Sequence, residues 1–167
     1  MGSLRRAAIP FLGLLLCGWA YANGPADGFR SFRWGSEPTG SMYKTESKAN
    51  MQGFMAYDED KNVLGIQADF ITYYYYGGGL CRVEVAWWPR PTSTLNHLQA
   101  SLEKHWGKPA KSVGSSGTRI IEWLSDTGAT SGSLLAMDDA NNRDLWHITI
   151  LIQGRECSKS AIEGSGL

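Results

Sequence analysis

Ile66-Gln67-Ala68-Asp69-Phe70-Ile71-Thr72-Tyr73-Tyr74-Tyr75-Tyr76-Gly77-Gly78-Gly79-Leu80-Cys81-Arg82-Val83-Glu84-Val85-Ala86-Trp87-Trp88 decides the fold. Two runs rich in β-branched and aromatic residues flank three glycines, which tolerate the positive backbone angles of a tight hairpin. Taking Gly77–Gly79 as the loop pairs Tyr76 with Leu80, Tyr75 with Cys81, Tyr74 with Arg82, Tyr73 with Val83, Ile71 with Val85 and Phe70 with Ala86. Side chains alternate faces along a strand. One face therefore carries Ile71, Tyr73, Tyr75, Cys81, Val83, Val85 and Trp87 and is expected to be the core. The other carries Phe70, Thr72, Tyr74, Tyr76, Arg82, Glu84 and Trp88.

Downstream, Pro89 and Pro91 stop the strand, Thr92 or Ser93 can cap a helix, and Leu95, Leu98 and Leu102 recur at helical spacing before Trp106-Gly107-Lys108-Pro109 ends it. Strands are expected over 119–124, 133–137 and 145–153, the last with Trp146, Ile148, Ile150 and Ile152 on one face. Upstream, Gly28-Phe29-Arg30-Ser31-Phe32-Arg33-Trp34-Gly35 reads as one edge strand. Residues 36–50 read as polar loop with at most a short helix, 52–57 as a strand, and 58–62 as a turn. The expected class is α+β, a largely antiparallel sheet with one firm helix. Matches between Gly53–Asn62 and Ser133–Asn142 leave open a tandem helix-plus-three-strand repeat.

The amino terminus has the three parts of a cleavable signal peptide: Arg5 and Arg6, an apolar run from Ala7 to Ala20, and small residues at Ala20 and Ala22. Cleavage after Ala22 is expected, leaving 23–167 as a single domain with a loose tail over 158–167. The apolar run is short for a bilayer span and is broken by Pro10 and Gly13, so an integral membrane protein is not expected. Lipid attachment at Cys17 is disfavoured by Leu16, which stands where a small residue is required. Removal of the leader leaves Cys81 and Cys157, a pair expected to form a disulfide in an oxidising compartment, periplasmic or extracellular. The 16 basic and 16 acidic residues are scattered, with no basic stripe that would bind nucleic acid.

Catalytic and metal chemistry find little support in the residue pattern, and no cofactor is expected. His97, Ser101 and His105 share one helix face, but a mid-helix serine has no backbone donors beside it to hold an oxyanion. His147 falls on the outer side of the last strand. Asp58, Asp60 and Asn62, with Asp69 beyond, follow the spacing of a calcium loop, yet Val63 stands where glycine is needed, and a polar turn is expected instead. Phe70, Tyr74, Tyr76 and Trp88 with Arg82 among them make the outer face of the hairpin aromatic and cationic, the composition of binding hot spots.

The Gly-Phe-Arg-x-x-x-Trp-Gly opening at 28–35, the aromatic hairpin ending in Val83-Glu84-Val85, and the helix closing on Trp106-Gly107-Lys108-Pro109 resemble a loose group of small exported bacterial proteins without an assigned activity. A helix followed by three strands is also similar in layout to the beta-lactamase inhibitor protein and to small outer-membrane assembly lipoproteins, which transfers no site residue. The expected function is a non-catalytic periplasmic or secreted binding module, of the inhibitor or immunity type, that meets an envelope or secreted protein through the outer sheet face. The alternatives are an envelope assembly or structural protein and, behind it, a hydrolase.

Overall fold

A computed structural model describes residues 27–48, 50–125, 130–154 and 157. The expected leader over 1–22, its cleavage site and the 158–167 tail lie outside the described residues. Strands dominate: β1 (Gly28–Phe29), β2 (Phe32–Arg33), β3 (Met42–Lys48), β4 (Met51–Ala56), β5 (Asn62–Val63), β6 (Ile66–Gln67), β7 (Phe70–Tyr76), β8 (Gly79–Pro91), β9 (Lys111–Ser115), β10 (Thr118–Leu124), β11 (Thr130–Asp139) and β12 (Asn142–Gly154). The one helix among the described residues is α1 (Thr92–Trp106). The architecture is thus mostly β rather than the expected α+β. The sequence reading missed two sheet strands, β3 and β9, because their alternating residues are polar and signal no buried face.

The main sheet has eight antiparallel strands in the order β3-β4-β7-β8-β12-β11-β10-β9. Each half is a meander that starts at an outer edge and walks inward, and the halves meet where β8 pairs with β12. A tandem helix-plus-three-strand repeat is not what forms. Each half contributes four sheet strands, and the two matching segments sit at unequal ranks, on β4 and β11, second and third from their respective edges.

The hairpin closes differently from its expected form, and the difference has one cause. Gly77 and Gly78 alone make the turn, both with positive φ (57° and 89°), the geometry of a two-residue type I′ loop. Gly79 joins β8, opposite Tyr76, where an added Cβ would lie 3.1 Å from Gly35 Cα. The register from Phe70 to Tyr74 is as expected. Tyr75, however, pairs with Leu80, so Cys81 is left over as a bulge between Leu80 and Arg82. Bulges re-aim side chains. Cys81 turns away from the main core and joins Tyr74, Met51 and Cys157 on the opposite face. There it is bridged to Cys157, with the α-carbons 5.0 Å apart.

One face of the sheet is covered. Ile71, Tyr73, Val83, Val85, Trp87, Ile121, Leu134, Ile148 and Ile150 pack beneath Leu95, Leu98 and Leu102 of α1 and beneath Phe29 of the β1–β2 hairpin. The helix starts at Thr92 without a side-chain cap and ends at Gly107, whose φ of 79° suits glycine. Two glycines admit tryptophans: a Cβ on Gly132 would lie 2.8 Å from the Trp106 ring, and one on Gly154 2.9 Å from the Trp34 ring. The opening 28–35 is a small hairpin, β1–β2, rather than an edge strand. Phe29 is buried against Tyr73, and the Arg30 guanidinium is bound by the Glu59 carboxylate and by the carbonyls of Asp60 and Asn62. Burial holds Glu59 above the usual carboxylate range, although Tyr73 and Arg30 both donate to it. The Gly-Phe-Arg-x-x-x-Trp-Gly pattern is therefore a structural clasp.

The bridge closes a 76-residue separation. Loop-closure entropy for that length amounts to about 4 to 5 kcal/mol as an upper figure. Replacing both cysteines with serine should lower the denaturant-derived unfolding free energy by roughly 2 to 5 kcal/mol, and reduction of the wild type should have the same effect.

Candidate open sheet face

Cross-strand register defines the opposite face. One row runs Phe70, Ala86, Thr149, Leu135, Ile120, Val113 across six strands; the next runs Thr72, Glu84, Leu151, Ser133, Glu122, Lys111. In β10, β11 and β12, neighbouring residues such as Ile120 and Ile121, Leu134 and Leu135, and Ile150 and Leu151 point to opposite faces. Strands apolar on both sides are patterned for burial on both sides. Yet among the described residues only Cys157 and the curled part of β3 lie over this face. Phe70 is 45% exposed, Trp88 43%, Met137 48% and Val113 49%.

The face is not flat. The β3–β4 register slips between Lys44 and Ser47, and the slip brings Thr45 and Glu46 over Gly53, where an added Cβ would lie 2.5 Å from Thr45 Oγ1. This overhang and the Phe70–Trp88 pair enclose a groove of about 420 Å³, with Met55, Thr72, Tyr74, Glu84 and Ala86 also in its lining. The Phe70 and Trp88 ring centroids are 5.6 Å apart. Asp69 holds Trp88 in place by accepting its backbone N–H at 2.7 Å while pairing with Arg90 at 3.0 Å. Lys48 Nζ lies 3.2 Å from Glu84 Oε2 and 5.6 Å from the Tyr74 ring centroid. Burial alone would lower the Lys48 ammonium, but Tyr74 and Glu84 outweigh it and hold the ammonium up.

Of the five residues expected to form a binding face, Phe70, Tyr74 and Trp88 line the groove. Tyr74 does so as a buried floor rather than an exposed anchor: it is 2% exposed, packed with Met51 and the Cys81–Cys157 bridge. The bulge at Cys81 placed the bridge on this face, which alternation alone assigned to the core. Tyr76 sits beside the turn and Arg82 is half-buried, donating to Gln153 Oε1 at 3.1 Å; neither lines the groove. The sequence reading passed over Met137, Ile120 and Val113, and also the His147–Asp139 pair, whose Nε2 and Oδ2 are 2.9 Å apart. The signal was the doubled apolar residues of β10 and β11. The His147 hydrogen bond, helped by backbone N–H groups, lowers the Asp139 carboxyl, and the His147 ring stands 6.3 Å from that of Trp88.

The other candidates resolve into structure. Asp60 Oδ1 accepts the Asn62 N–H at 2.9 Å and Asn62 Oδ1 accepts the Gly65 N–H at 3.1 Å, an Asx-type turn. Asp69 is turned away toward Arg90, so the calcium spacing does not converge. Among the described residues no group of three or more His, Cys, Asp or Glu could hold a metal ion. His97 Nε2 lies 3.1 Å from the Leu64 carbonyl oxygen.

Compared with protein-family models, curated proteins and solved structures, the chain finds no match in any of the three.

Burial separates the aromatic residues of this face by energy. Tyr74→Ala should cost about 3 to 5 kcal/mol of stability, as a buried aromatic does. Phe70→Ala and Trp88→Ala should each cost roughly 1 kcal/mol or less, because nearly half of each side chain is already in water. Chemical denaturation of the three variants checks the ordering.

Proposed function

We propose that this chain is a non-catalytic binding module of an exported protein, and that its open sheet face docks an envelope or secreted protein partner. The observation that carries the reading is the two-sided apolar patterning of β10–β12 beside the exposed Phe70–Trp88 pair. Sequence of that kind stabilises a sheet buried on both faces, and the described residues leave much of one of those faces exposed. Exposed aromatics next to a groove match the anatomy of a hot spot, in which an anchor side chain enters a pocket and its surroundings exclude water. Two lysines here are paired within the chain, Lys48 with Glu84 and Lys111 with Glu122 at 3.9 Å, which limits the salt dependence expected of docking. Export is supported by the disulfide, which persists in oxidising compartments, together with the leader pattern ending at Ala22. No helix among the described residues is long and apolar enough to cross a membrane.

An assembly role is the second reading, and one observation favours it. Strand β9 is exposed along its whole length at the sheet edge, where a second strand could add.

Capture of partners from the cell envelope by the chain beginning at Asn23 tests both. A retained protein whose affinity falls about 30-fold with Phe70→Ala or Trp88→Ala, matching a loss near 2 kcal/mol, is the expected result. Retention unaffected by these variants and by Ile120→Asp would overturn docking on this face. Concentration-dependent self-association abolished by Val113→Pro would favour the assembly reading.

A further inference from the structure

The covered face holds a second site that the docking proposal does not use. Between the sheet and its covering layer lies a cavity of about 750 Å³, within the range of small-molecule sites. Val85, Ile150 and Ile152 form its sheet side, and Leu102 and Trp106 of α1 stand on another side. Phe29, Val63 and Leu64 of the two small hairpins complete the apolar lining, while Arg30, Ser31, Asp60, Asn62 and His105 supply its polar groups.

The polar groups select the ligand by their existing bonds. Among the described residues Arg30 is the one Arg or Lys in the lining, and its guanidinium is already held by Glu59 and by the Asp60 and Asn62 carbonyls. Its charge is thus compensated by Glu59, with which an anionic head group would have to compete, and the same bonds tie the β1–β2 hairpin to the segment leading into β5. Asp60 adds negative charge to the same region. Ser31, by contrast, is exposed and offers a hydroxyl. We infer that this cavity binds a neutral single-chain amphiphile, of the monoacylglycerol or long-chain alcohol kind, with its chain against Val85, Ile150 and Ile152 and its hydroxyl head at Ser31. An uncharged apolar chain gains roughly 0.8 kcal/mol per methylene buried, while a carboxylate head would meet the Asp60 carboxylate beside an Arg30 already paired with Glu59.

The experiment uses the disulfide-bonded chain beginning at Asn23, with the neutral fluorophore N-phenyl-1-naphthylamine as probe and monoolein or oleate as competitor. Saturable one-site binding is expected, displaced by monoolein at a concentration about tenfold lower than by oleate near neutral pH. Ser31→Trp narrows the mouth from an exposed hairpin tip, and Val63→Trp fills the interior. Both should weaken probe binding at least about tenfold while circular dichroism and melting stay near wild type. Phe70→Ala and Trp88→Ala, on the other face, should leave binding unchanged, which separates this site from the docking surface. Absence of saturable binding, indifference to Ser31→Trp in a folded variant, displacement by oleate as readily as by monoolein, or loss of binding through Trp88→Ala would each overturn the inference.

Discussion

The antiparallel pairing of β8 with β12, two strands of 13 residues each, is the constraint on which the rest of the structure depends. Each half-sheet is a meander of local hairpins. Only this central pairing makes them one sheet. It aligns Val85 with Ile150 and Val83 with Ile152, and α1 packs across these same central strands. It also sets Arg82 beside Gln153 at the end of the pairing, near the point where Cys157 returns to Cys81. Pairing segments so distant in sequence requires costly loop closure. The helix and the inward-walking order of β9 to β12 are the means by which the chain returns to its own centre.

Once the sheet exists, its faces diverge. The covered face is closed by one amphipathic helix and two hairpins of two-residue strands. The fit depends on tryptophans seated over glycines, Trp106 on Gly132 and Trp34 on Gly154. The open face keeps two-sided apolar patterning without an equivalent layer among the described residues. Two of its charged pairs, Lys48 with Glu84 and His147 with Asp139, are made within the chain and so oppose burial by a partner less than unpaired groups would. Both functional proposals come from this asymmetry: a surface for a macromolecule on one side, and an interior space for a small apolar one on the other.

Much of this was legible in the amino-acid pattern. The helix with its leucine stripe, the six strands β4, β7, β8, β10, β11 and β12, and the Cys81–Cys157 pairing follow from periodicity and cysteine count. The pattern was silent where strands have no apolar alternation: Lys111–Ser115 holds one apolar side chain, Val113, and Met42–Lys48 is mostly polar beyond Met42. It misled at the glycines, because three in a row do not show which two will form the turn. That single-residue choice moved Cys81 to the other face and helped to bury Tyr74. The α+β reading followed from the silent strands, since unseen strands inflate the helix share. Of the candidate site, Phe70 and Trp88 were readable from alternation. The groove was not, because it depends on the slip in β3 that carries Thr45 and Glu46 over Gly53.

Oxidative footprinting read residue by residue by mass spectrometry tests most directly the central claim that one sheet face is covered and the other open. Trp87 and Trp88 are neighbours in sequence on opposite faces, 0% and 43% exposed. Solvent-borne hydroxyl radicals should therefore modify Trp88 and Met137 rapidly while leaving Trp87, Trp123 and Tyr74 protected until the chain unfolds. Equal protection of Trp88 and Trp87 in the isolated chain would contradict the account, because it would mean that the face assigned to a partner is already covered.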